Sequence, residues 1–126
     1  ALIYLGTILP DLISRPIYIL KPELYSYTVG LHTPVFMLFL ILLISEFFVD
    51  EIRRFVFGYL GLGVLLHFFL DAFQKHLAGG YYWLFPFSWS TYSWGIFWPE
   101  TTVRLFPIWL LIIVLTEIAT RIKRMN

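Results

Sequence analysis

The chain contains no cysteine and very little charge: nine Lys and Arg, eight Asp and Glu, together 13% of 126 residues. Without cysteine there can be no disulfide and no thiolate metal site, and the redox compartment is left open. Soluble domains carry about 25% charged residues, so half the expected water-facing charge is missing. The net charge is only +1. Basic residues are scattered and form no basic face, which argues against a nucleic-acid partner. No internal repeat is present, and the length suits one domain.

The rest of the composition is apolar: 60% hydrophobic and 21% aromatic residues, with a mean hydropathy of +0.80. That much apolar surface would aggregate in water, so lipid is the natural solvent. The expected fold is all-α: a polytopic membrane protein, with a single transmembrane domain over residues 1–126, about four transmembrane helices and an aromatic interfacial loop. Four apolar stretches support this. Ala1–Leu9 is closed by Pro10 and Asp11. It is shorter than the roughly 20 residues of a span, so the N-terminus is expected to be incomplete. Leu31–Val49 carries Pro34 in its first turn, Phe55–Gln74 follows, and Val103–Ala119 contains Pro107, where a kink is expected.

Three connections separate them. Asp11–Gly30 holds two prolines with Arg15, Lys21 and Glu23, and Asp50–Arg54 is a short charged turn. Lys75–Thr102 is dense in Tyr and Trp, which concentrate where hydrocarbon meets headgroup. The compact basic tail Arg121, Lys123, Arg124 directly follows a helix. The expected placement is in the cell (plasma or inner) membrane, with both termini cytoplasmic and the aromatic loop outside.

Ionisable groups inside apolar helices are costly and mark functional sites. Asp11, His32, His67 and Asp71 all fall toward one membrane face in this arrangement. His67 and Asp71 are four residues apart, one turn of helix, and share a face. An imidazole nitrogen and a carboxylate oxygen so placed can grip one divalent cation, with Asp11 and His32 closing a four-ligand set for zinc, or alternatively manganese. The blander reading is a hydrogen-bonded polar cluster that joins helices. Glu100, in the outer loop, reads first as a solvated loop residue and second as a candidate general base. His76 reads as a surface histidine. Glu46 and Glu117 are expected to pair with nearby arginines.

These residues resemble the signatures of a known family. Gly6-Thr7-Ile8-Leu9-Pro10-Asp11 resembles the G-x-x-x-P-D signature of the YdjM-like family of small membrane proteins, described as membrane-bound metal-dependent hydrolases. His32-Thr33 resembles that family's His-Ser, and His67-x-x-x-Asp71 its H-x-x-x-D. Gly80, Phe85-Pro86-Phe87-Ser88 and Trp94-Gly95-Ile96-Phe97 resemble its later loop. The resemblance covers about residues 5 to 100. Ile13 and Ser14 stand where the family often has a second Asp, and Ser26-Tyr27-Thr28 where it often has Arg and His. A single metal, or none, is therefore expected in place of a two-metal centre. The resemblance implies a metal-dependent hydrolase acting at the outer interface on a lipid or lipid-linked substrate. The alternative is a non-catalytic subunit of a larger membrane assembly, in which membrane lipid and other membrane subunits are the partners.

Overall fold

The computed structural model describes residues 1–76, 80–104 and 106–125. Helices dominate: α1 (Leu2–Leu20), a 3-10 turn (Pro22–Leu24), α2 (Tyr25–Leu31), α3 (Pro34–Ser45), α4 (Asp50–Phe73), α5 (Pro99–Arg104) and α6 (Phe106–Met125). Two short strands, β1 (Tyr81–Tyr82) and β2 (Thr91–Tyr92), pair antiparallel in the aromatic segment.

α1 corrects the expected nine-residue stretch. The helix runs through Pro10, Asp11 and Pro16 to Leu20. A proline lacks the N–H that would reach the carbonyl four residues back, here those of Gly6 and Leu12, yet membrane helices tolerate proline where neighbouring helices pack around it. The Ser14 hydroxyl donates within the helix to the Pro10 carbonyl at 2.8 Å, and the Thr7 hydroxyl to the Tyr4 carbonyl at 2.8 Å. The charged turn at Asp50 is likewise the first turn of α4, where Asp50 and Glu51 suit the helix dipole. Pro107 lies in the first turn of α6 and introduces no mid-helix kink.

Two helices among the described residues, α1 and α4, are long and apolar enough to cross a membrane. A third crossing is available if the segment Pro22–Leu31 plus Pro34–Ser45, bent by 72°, acts as one broken span. Thr33 makes that joint. Its side chain caps α3 by accepting from the Phe36 N–H, with Pro34 at the first helical position.

The core lies where α1 and α3 meet α4. Val56, Leu60, Val64 and Phe68 recur every four residues along α4 and pack with Met37, Ile41 and Leu9. α1 and α4 approach closely through glycine. A Cβ on Gly63 would sit 2.8 Å from the Gly6 Cα and would overlap the Ile3 carbonyl; one on Gly6 would overlap the Leu60 carbonyl. Small residues at such crossings let helix backbones touch in lipid, where association rests on packing and polar contacts. Gly6 meets Leu60 and Gly63, and Thr7 meets His67, so the two helices run the same way and the chain between them must return.

The aromatic segment closes the far end of α4. The Trp94 N–H donates to the Ala72 carbonyl at 2.6 Å and the Ile96 N–H to the Phe73 carbonyl at 2.8 Å, satisfying acceptors that a helix C-terminus leaves open. At Gly80 the backbone has φ +136 and lies against Tyr92 with no room for a Cβ. The expected charge pairs form at the surface: Arg53 with Glu46 and Asp50, and Arg121 with Glu117.

Candidate metal centre

The site is assembled from α1, the α2–α3 joint and α4. Asp11 sits in the middle of α1, His32 at the joint, and His67 and Asp71 one turn apart on α4. His32 Nε2 and His67 Nε2 each lie 3.0 Å from Asp71 Oδ2 and 3.3 Å from each other. Asp11, His32 and His67 form a second grouping, with one ligand atom from each within 4.8 Å of the others. Asp71 and both histidines are almost closed off, with side chains 7% and 11% exposed, whereas Asp11 is 31% exposed and opens outward.

The outer hydrogen bonds fix which nitrogen of each ring carries the hydrogen in its neutral form. His67 Nδ1 lies 2.7 Å from the Thr7 carbonyl. A carbonyl only accepts, so Nδ1 carries the hydrogen and neutral His67 presents a bare lone pair at Nε2. His32 Nδ1 lies 3.2 Å from Ser14 Oγ and 3.7 Å from Asp11 Oδ1. The Ser14 hydrogen already goes to the Pro10 carbonyl, so His32 Nδ1 is the donor there and its lone pair also lies at Nε2. With both rings neutral, three acceptor atoms face one another at contact distance: two imidazole nitrogens and a carboxylate oxygen.

Such an arrangement requires positive charge among its members. One means is protonation of a ring. Protonating both would crowd two imidazolium N–H groups onto a single oxygen. The other means is a divalent cation. Zinc holds nitrogen and oxygen ligands at about 2.0–2.2 Å, which in a tetrahedron separates neighbouring ligand atoms by about 3.3–3.6 Å. The observed edges of 3.0, 3.0 and 3.3 Å lie close to that spacing. Each histidine also directs its remote N–H to an oxygen, the usual support of a metal-bound imidazole. The residues present therefore fit a divalent metal.

Aromatic rings wall the cluster. Phe68 stands edge-on to both histidines, with centroids at 5.5 and 5.6 Å, and Tyr81 stacks on His32 at 5.1 Å and 19°. Burial, together with the neighbouring Asp71 carboxylate, pushes the Tyr81 phenol well above the ordinary tyrosine value. It therefore stays protonated and can donate. His76 packs edge-on to Tyr81 at 4.0 Å. Burial holds it below the ordinary histidine value, so it is neutral at pH 7. It is half-buried behind Tyr81, which the expectation of a surface histidine did not anticipate. Glu100 is exposed in the first turn of α5, and among the described residues no hydrogen bond or ion pair links it to the cluster. Thr7, Ser14, Arg15 and Tyr81 complete the site. Their one sequence signal is that Ser14 and Arg15 follow Asp11 by one helical turn.

Fold and site together define a small helical membrane protein with a histidine–aspartate cluster buried between its helices. The chain belongs to the YdjM inner membrane protein family, whose model matches residues 1–125. No curated protein and no solved structure matches it.

Proposed function

We propose that this protein is a membrane-bound metal-dependent hydrolase, acting at the outer membrane interface on a lipid or lipid-linked substrate. The supporting observation is the meeting of three lone pairs, His32 Nε2, His67 Nε2 and Asp71 Oδ2, within 3.3 Å. Asp11 is the fourth ligand on the open side. Zinc is the metal best suited to this donor set, with manganese second. A divalent cation there supplies Lewis acidity, which lowers the pKa of water toward about 7 and polarises a scissile oxygen.

The remaining work falls to the chain. Thr7 and Ser14 hold both imidazoles with their Nε2 lone pairs inward. Phe68 and Tyr81 keep bulk water from the inner side. In hydrolysis a water oxygen adds to the phosphorus or acyl carbon and its proton passes to a carboxylate. The bond to the leaving oxygen then breaks, and that oxygen takes a proton. Glu100 is the candidate acceptor, provided that α5 carries it to the open side.

A second reading keeps the cluster structural, in a non-catalytic subunit. It is favoured by the direct 3.0 Å contacts, because a single proton on His32 would also bind Asp71. Elemental analysis of detergent-purified protein after dialysis against zinc separates the two. The expected result is about one zinc per chain, lost in His67→Ala. Wild-type protein that stays metal-free would establish the structural reading.

A further inference from the structure

Among the described residues, two hollows lie beside the cluster, and one of them reaches Asp11. The larger, about 980 Å³, lies between α4 and the β1–β2 hairpin and is lined by Leu65, Leu66, Phe69, Trp83 and Leu84. Its wall includes Phe68 but no ionisable residue of the cluster. The smaller, about 540 Å³, runs along α1, and its lining includes Asp11 and Arg15 beside Ile8, Leu12, Ile19 and Leu20. A ligand lying in this hollow beside Asp11 therefore also lies beside Arg15.

Arg15 is built for an anion. Its Nε donates to Asp11 Oδ1 at 2.8 Å, and that same oxygen lies 3.7 Å from His32 Nδ1. One carboxylate thus holds the guanidinium beside the cluster and leaves both Nη groups, four N–H donors in a planar fork, without a protein partner among the described residues. A neutral carboxylic ester offers this fork a single carbonyl oxygen, whereas a phosphoryl group offers two or more charged oxygens that match it.

We infer that Arg15 is the anion-recognition residue of this site, and that the substrate is an amphiphilic phosphate ester: its phosphoryl group between Arg15 and the histidine cluster, its apolar chain along Ile8 and Leu12 or Ile19 and Leu20. This rests on the metal-dependent reading above and narrows its substrate to phosphate esters.

The test uses zinc-dialysed full-length protein in detergent, titrated with dodecyl phosphate, inorganic phosphate and dodecanol. Binding is read by calorimetry and zinc content is measured on the same samples. Wild type should bind dodecyl phosphate more tightly than either partial probe. Arg15→Gln should weaken dodecyl phosphate about tenfold or more, the scale of a lost charge-assisted hydrogen bond, with zinc content unchanged. Arg15→Lys, which keeps the charge and loses the fork, should fall between. Zinc-loaded Arg15→Gln that binds dodecyl phosphate like wild type overturns the role of Arg15 and leaves the metal reading standing. Dodecanol bound as tightly as dodecyl phosphate by wild type overturns the phosphate assignment without any variant, and inorganic phosphate bound as tightly overturns the amphiphile. Wild type without zinc overturns the metal reading and this inference with it.

Discussion

α4 and α6 have similar lengths, 24 and 20 residues, and opposite surroundings. α4 packs against α1 and α3, buries a stripe from Val56 to Ala72, and carries His67 and Asp71 on its inner face. α6 packs chiefly against α5, and its described side chains are exposed along its length. Its Thr116 and Thr120 hydroxyls donate back to α6's own carbonyls. Apolar length places a helix in lipid but gives it no partner there, because lipid tails are as apolar as leucine. α4 gains partners from what interrupts its apolar run: Gly63 for close approach, and two ionisable groups that lipid cannot solvate.

The largest test of this contrast is Gly63→Leu. The new side chain would meet backbone atoms of Ile3, Gly6 and Thr7, and backbone cannot rotate aside. α1 must move away, taking Thr7 from His67 and Asp11 from His32. The expected outcome is loss of most folded protein in detergent, seen as a collapsed thermal transition. Thr116→Leu on α6, at an exposed position, should melt like wild type. Next in size is a matched pair of truncations. Leu60 is fully buried and Leu111 is 57% exposed. Leu60→Ala should cost about 2–4 kcal/mol from lost packing and the cavity left behind, and Leu111→Ala under about 0.5 kcal/mol. Equal costs, measured by denaturant titration in detergent, would place α6 inside a packed bundle and erase the distinction.

The legible part of this molecule followed from hydrophobic runs and from charges that interrupt them. Leu31–Val49 and Phe55–Gln74 anticipated α3 and most of α4 because their apolar runs are continuous, whereas α2 lay in the expected connection Asp11–Gly30. Ala1–Leu9 fell eleven residues short of the observed end of α1, because Pro10 and Pro16 read as breakers in water and are tolerated in a membrane helix. Pro107 misled in the opposite direction: it starts a helix instead of bending one. His67 and Asp71 were readable as a pair from one-turn spacing. What spacing could not give was the inward direction of their atoms, which depends on the Thr7 carbonyl and on Ser14, sixty and eighteen residues away from the rings they hold. Tyr81 was hidden among many aromatics; only the hairpin brings its ring onto His32.

The arrangement of spans sharpens the comparison further. The expected topology has four crossings: α1 and α4 run parallel, the bent α2–α3 segment would return between them and α6 would make the fourth, which would put both termini on one side and the aromatic segment on the other. The basic tail makes the cytoplasm the expected side for the termini. Cysteines introduced singly at Ser88 and Asn126 should react with an impermeant maleimide from opposite sides of sealed vesicles. Reaction from the same side would mean that α6 lies along the surface and makes no crossing, which would also account for the exposure of its described side chains.

The smallest expected effect concerns the hairpin region, the other lightly packed part of the molecule. Phe87 is 82% exposed, Trp89 70% and Trp94 50%. Among these, Trp94 still touches Phe73 at a centroid distance of 4.6 Å, and Trp89 touches Phe85 and Tyr82. So much exposed aromatic surface in water would form an apolar patch of the kind monomeric proteins avoid. At the headgroup level the same rings gain a favourable setting for both their apolar faces and their indole N–H groups. In vesicles, tryptophan emission should therefore be quenched by lipids brominated near the top of the acyl chain more than by those brominated near its end. Trp89→Phe should lower that shallow quenching by a fraction and not abolish it, because Trp94 and Trp98 share the layer. Quenching by aqueous acrylamide alone, with no lipid effect, would place the hairpin in water and make it a soluble cap over α4.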